Sequence, residues 1–188
     1  MNKGIHSKSI ATTLVMTAII GVSNASIPVH ACGLEPGFNG GITISYPGSI
    51  EVAVAVASAR SNGLLPAAST KTVSNEVRRQ QILADLRRLQ TRLNETRDEV
   101  PDAGTATFSL VLVGPGLWSH YRVTAGGVLA NYHTDGPLAG KAVVLTHAAA
   151  LRAMLSGALS IERATELGLI AYSGVDTSPI QRTLEISL

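Results

Sequence analysis

The chain has 188 residues, with 15 Lys and Arg against 13 Asp and Glu, for a formal net charge of +2. Hydrophobic residues make up 45% and charged residues 15%, which excludes a disordered polar chain and supplies enough apolar mass for a core without staples. The surplus positive charge is Lys3 and Lys8; beyond residue 31 the chain carries 13 of each sign, which leaves no electrostatic case for nucleic acid or an anionic membrane.

Residues 1–31 read as an export signal. Lys3 and Lys8 form a basic start, Ile10–Val22 is a mostly apolar run of 13 residues, and Val29-His30-Ala31 offers a small-residue cleavage site, as does Ser23-Asn24-Ala25. The run is shorter than the roughly 20 apolar residues that span a bilayer, and the alternative is a retained amphipathic anchor. Periplasmic or secreted localisation is therefore expected. Cys32 is the one cysteine and follows Ala31 directly; a lone Cys makes no internal disulfide, so three fates stay open: a lipidated N-terminus with membrane attachment, an intermolecular disulfide, or a free thiol.

After a turn-rich stretch from Gly33 to Gly41, Ile42, Ile44 and Tyr46 alternate as in a short strand, and Ser49 follows as a helix cap. Ile50–Asn62 reads both ways: its alternating Ile50, Val52, Val54 and Val56 fit a strand, while its alanines and the Gly63-Leu64 stop fit a helix, which we expect. A helix so apolar all round must be buried. Leu65–Val73 reads as a linker. Glu76–Glu99 is the clearest helix, with Ile82, Leu86, Leu89 and Leu93 on one stripe and Pro101 and Gly104 ending it. The stripe is too short for a coiled coil and fits packing on a sheet.

A meander follows. Thr105–Val113 places Ala106, Phe108, Leu110 and Leu112 on one face, Leu117–Val123 and Val128–His133 return, and Gly-rich turns separate them. Ala142–Thr146 is the fourth strand. Thr146 then caps a helix carrying Leu151, Met154 and Leu155, Gly157 stops it, Ser160 caps a second helix, Gly168 stops that one, and Leu169–Tyr172 with Gly174 closes the pattern. The layout is α+β: a mostly antiparallel sheet of about five strands packed on helices.

The run Gly157, Ser160, Ala164, Gly168, Gly174 resembles the closing half of the sterol-carrier-protein-2 (SCP-2) lipid-binding domain. The resemblance covers roughly 76–188 and is sharp over Val143–Gly174. Ile161 departs from it, since the family commonly has Pro there, and so does the ending, where the short tail after Asp176 implies a truncated or degenerate last helix. The resemblance implies an SCP-2-like domain over 74–188, a hydrophobic tunnel between sheet and helices, and lipid binding or transfer. Residues 1–31 are then the signal peptide and 32–73 an N-terminal helical extension and linker.

No nucleophile motif supports an enzyme. Gly-x-Ser-x-Gly is absent, and Ser119 and His120, adjacent on a strand, point to opposite faces. His120, His133 and His147 lack the short spacing of a prebuilt metal site, and Asp135 reads as the first residue of an Asp-Gly-Pro turn. No glycine-rich phosphate loop is present, so neither metal nor cofactor is expected. What remains is apolar. The candidate ligand-binding residues are Phe108, Leu110, Leu112, Leu151, Met154, Leu155, Leu167 and Ile170, which either line a cavity or fill a solid core. The expected function is binding of a lipid or similar apolar molecule. The rival is a structural or assembly module in which Gly33–Asn62 docks an envelope protein partner.

Overall fold

The computed structural model describes residues 46–68, 73–99 and 106–188. The export signal, Cys32, Ile42, Ile44, and the expected helix stop at Pro101 and Gly104 lie outside the described residues.

Helix α1 (Ser49–Ser61) comes first, so the ambiguous stretch is a helix. Its cap differs from expectation. Gly48, at φ 91°, is the N-cap, and Ser49 is the first helical residue, its side chain buried. Gly63, at φ 71°, ends the helix, with the Leu64 N–H returning to the Ala59 carbonyl. Helix α2 (Asn75–Thr96) follows, continued by a 3₁₀ turn over Arg97–Glu99. The Ser74 side chain accepts from the Val77 N–H and so satisfies one of the helix's orphan donors.

Strands β1 (Ala106–Leu112), β2 (Leu117–Thr124), β3 (Gly127–Thr134) and β4 (Ala142–Thr146) lead into α3 (Ala148–Leu155) and α4 (Ile161–Glu166); β5 (Ile170–Ser173) and α5 (Ser178–Ser187) complete the chain. The five strands form one sheet in the order β3-β2-β1-β4-β5. Three pairings are antiparallel, but β1 and β4 run parallel. The sheet is therefore mixed, with the start of the meander at its centre. β1 is buried along nearly its whole length because both faces are covered.

Register assigns those faces, since directly paired residues share a side. Phe108, Leu110 and Leu112 lie with Tyr121, Ser119 and Leu117 of β2, with Ala142, Val144 and Thr146 of β4, and through β4 with Tyr172 and Ile170 of β5. Helix α2 covers this side, where the Tyr121 hydroxyl donates to the Leu86 carbonyl. Helices α3 and α5 pack on α2. The opposite side carries Val111, Trp118 and Leu145. It is met by Tyr46, edge-on to Trp118 at 5.3 Å, and by α1, whose Gly48 sits against Leu145.

Two local expectations need correcting. His147, not Thr146, caps α3: its Nδ1 accepts the Ala149 N–H, while the Thr146 hydroxyl donates across to the Leu169 carbonyl. The tail after Asp176 is not degenerate. It forms α5, started by Pro179 and buried through Ile180, Thr183 and Leu184. The expected stops and cap of α3 and α4 are as read: Gly157 and Gly168 stand at φ 72° and 69°, and the Ser160 side chain accepts the Arg163 N–H.

Candidate functional site

Alternation along β1 puts Phe108, Leu110 and Leu112 on the side that α2 covers, and the ladder through β4 brings Ile170 to the same side. Leu151, Met154 and Leu155 come from α3. These seven residues are buried in one apolar cluster. Leu167, the C-cap of α4, is half-buried and packs against that cluster. The eight residues named from the sequence thus come from three elements and one helix end. They converge because β4 returns the chain beside β1 before α3 begins.

Around the cluster several polar groups are tied down. Phe108 stacks on Tyr121 at 5.2 Å, with the planes 11° apart. Burial first, and then neighbouring Tyr132, push the Tyr121 hydroxyl well above its ordinary value, so it stays a neutral donor to Leu86. The Tyr132 hydroxyl donates to Gln90 Oε1 at 2.7 Å, and Gln90 Nε2 donates to the Val128 carbonyl at 2.8 Å. Between α2 and α3, Arg152 donates through Nε and Nη2 to Asp85 Oδ2 at 3.0 and 2.6 Å. The Asp85 carboxylate is buried there, while Arg152 stays half-exposed. Burial, then Glu185, raise Tyr172 to about 12 against a lowering hydrogen bond from Thr165.

Of the histidines considered as metal ligands, His120 and His147 are separately engaged. His120 Nε2 lies 2.7 Å from the Gly136 carbonyl and 3.1 Å from the Thr134 hydroxyl. His147 caps α3. His133 stands at φ 61°, next to a register shift in the β2–β3 ladder at Trp118 and Ser119. Among the described residues, no three His, Cys, Asp or Glu side chains gather as a metal site. Nor is any described helix long and apolar enough to cross a membrane.

A separate surface groove of about 590 Å³ opens between α2 and the β2–β3 turn, lined by polar Gln90, Thr91, Asn94 and Thr124 together with Gly127 and Leu129. None of the eight sequence-named residues lines it. Sequence reasoning missed this groove, the Asp85–Arg152 pair and the break in the ladder, because each depends on which strand or helix lies opposite. The one local cue was His133, a residue type that tolerates positive φ better than most.

No family model matches the chain, and no curated protein matches it. Similar solved structures include a double mutant of the sec-alkyl sulfatase PisA1, at 16% identity and a TM-score of 0.43 over 53% of this chain. The stereoselective inverting sec-alkylsulfatase Pisa1 from Pseudomonas sp. is 12% identical over 52%, at a TM-score of 0.38. This chain spans only 15% and 14% of those two chains. Sterol Carrier Protein 2 Like 2 from Aedes aegypti is 16% identical at a TM-score of 0.37, over 57% of this chain and 96% of its own. The activities those names carry belong to those proteins; for this chain, what stands is an α+β arrangement with a five-stranded mixed sheet packed on helices.

Proposed function

We propose that this is an exported, non-catalytic SCP-2-like domain that binds an apolar or amphipathic ligand, a lipid, between the sheet and the helices α2 and α3. The observation that carries the proposal is the convergence of Phe108, Leu110, Leu112, Leu151, Met154, Leu155 and Ile170 in one buried cluster. Apolar walls with few polar groups are what such ligands need. Leu167 completes the wall at the end of α4. Export rests on the basic start, the apolar run and the Ala31 site of the sequence.

Native mass spectrometry after incubation with fatty acids, phospholipids and sterols tests it. Wild type should carry a lipid adduct, Leu155→Ala should keep it, and Leu155→Trp should lose it while remaining folded. An adduct on none of them overturns lipid binding.

One observation favours a second function. Helix α1 is apolar on both faces, and its outer face leaves Ile50 65% and Val54 62% exposed. In that case the chain is an assembly module, and α1 docks a protein partner in the envelope. Retention of a partner by wild type, lost in Ile50→Ser/Val54→Ser, together with no lipid adduct, would select it.

A further inference from the structure

The groove between α2 and the β2–β3 turn lies apart from the apolar cluster, and its walls have a different chemistry. Its volume of about 590 Å³ falls within the range of small-molecule sites. Among its described lining residues none is charged. Arg97 approaches from outside the lining, with its guanidinium committed to Asn94 and Asp98. An ion placed in the groove would shed water without gaining a counter-charge from the walls, so the groove selects for a neutral occupant.

The polar side chains of the wall are each fixed by bonds within the chain, and the fixing leaves a defined remainder. Gln90 is held at both ends, by the Val128 carbonyl and the Tyr132 hydroxyl. The Thr91 hydroxyl donates to the Arg87 carbonyl at 3.1 Å, and the Thr124 hydroxyl donates to the Gly127 carbonyl at 2.8 Å. Both oxygens then offer lone pairs only. Asn94 Oδ1 accepts from Arg97 at 2.9 Å, which fixes the amide, and no described residue takes its Nδ2. The wall thus presents two acceptors and a pair of amide donors whose directions are set in advance. Thr91 and Asn94 are three residues apart on α2 and share one face. The turn opposite is bare: a Cβ on Gly126 would meet only Thr124 Oγ1, at 3.8 Å, and one on Gly127 would come within 3.3 Å of Asn94 Oδ1. Glycine at both positions keeps the floor open and lets α2 approach it.

We propose that this groove binds a neutral sugar, with Asn94 Nδ2 as donor and the Thr91 and Thr124 hydroxyls as acceptors. A sugar hydroxyl both donates and accepts, so a wall holding both kinds of partner suits it, and its C–H face can lie over the uncharged Gly126–Gly127 floor. A peptide is a poorer match. A strand added along β3 would need the Val128 carbonyl, and Gln90 already occupies it. The site is independent of the lipid-binding function proposed above, because none of the apolar-wall residues borders it.

The test is NMR titration of the purified full chain with glucose, galactose, N-acetylglucosamine, maltose and cellobiose, reading the Gly126 and Gly127 backbone amides and the Asn94 side-chain amide. At least one sugar should shift these signals saturably, with a Kd of about 1 mM or tighter, the range that a few hydrogen bonds supply. Asn94→Asp keeps the shape and removes both donors, and Thr91→Val removes one acceptor; each should weaken that sugar about fivefold or more. The dispersion of the remaining amide signals reports that each variant is folded. Glucuronate, added for its charge, should bind more weakly than the best neutral sugar. No shift from any neutral sugar up to about 20 mM, well above a millimolar Kd, overturns the proposal. So does unchanged binding by both variants, or tighter binding of glucuronate. Shifts produced by a neutral tetrapeptide and by no sugar overturn it in favour of a peptide.

Discussion

Helices α1 and α2 lie on opposite sides of the same sheet and solve burial differently. In α2 the buried apolar side chains form one stripe, Ile82, Leu86, Leu89 and Leu93, and the outer face is mostly charged or polar, with Val77 the exposed exception. In α1 the buried stripe of Val52, Val56 and Ala59 is matched by Ile50 and Val54 on the outer side, both mostly exposed. An amphipathic helix declares its inner face in its sequence. A helix that is apolar all round does not, and here the expectation that α1 is wholly buried is wrong for half of its surface. The lesson is that surplus apolar residues mark either a partner or tolerance, and only mutation separates the two.

The largest effect should come from the α2 stripe. Leu86→Ala removes a side chain that is 0% exposed and should cost about 2–5 kcal/mol in urea unfolding. A loss below about 1 kcal/mol would mean that the site was already loosely packed, as a ligand cavity allows.

The second test lies at His147, the N-cap of α3. Burial first, and then Arg60 at the end of α1, hold His147 down to about 4 from an ordinary 6.5. The unfolded chain takes up this proton near pH 6.5 and the folded chain only near pH 4. In between, the unfolded state binds more protons, so stability is full above that window and falls as pH drops through it. The loss should approach about 2–3 kcal/mol near pH 4. His147→Asn keeps a capping oxygen and should flatten that part of the profile; equal acid sensitivity in both proteins would contradict the assignment.

A smaller effect is expected at Gly168, whose added Cβ would lie 3.5 Å from the Ala55 Cβ of α1 and whose φ is 69°. The space is ordinary, so the backbone sets the cost: Gly168→Val should destabilise by more than about 1 kcal/mol. An unchanged melting temperature would argue that α4 can end without a left-handed stop. The smallest effect belongs to the outer face of α1. Ile50→Ser and Val54→Ser should each change stability by less than about 0.5 kcal/mol, as at other exposed positions. A larger loss in the full chain would show that this face is covered in solution.

The same contrast explains which parts of the fold were legible. Gly157, Ser160 and Gly168 act within one turn of their own position, so the stops and cap of α3 and α4 can be read directly from the sequence. The alternation in β1 announced Phe108, Leu110 and Leu112 as one face for the same reason. The parallel pairing of β1 with β4 was not legible, because it joins residues more than thirty positions apart and leaves no local mark. Helix α5 was hidden by its brevity, although Ile180 and Leu184 stand one helical turn apart. His147 escaped notice as a cap because its imidazole is not among the favoured capping side chains. The apolar wall of the candidate site was readable and the break in the ladder at His133 was not, since a bulge exists only relative to its partner strand.

The Gln90 side chain also bears on how this sheet ends. β3 is an edge strand of eight residues, long enough to template another chain. One amide from α2 fastens the Val128 carbonyl and the Tyr132 hydroxyl together, so part of the edge's hydrogen-bonding capacity is already spent within the molecule. The extra residue at His133 breaks the regular spacing near the strand's far end, and the other edge, β5, is only four residues long. Gln90 and the bulge together act as a guard against edge-to-edge aggregation, by which a sheet of this kind would otherwise grow into a neighbour.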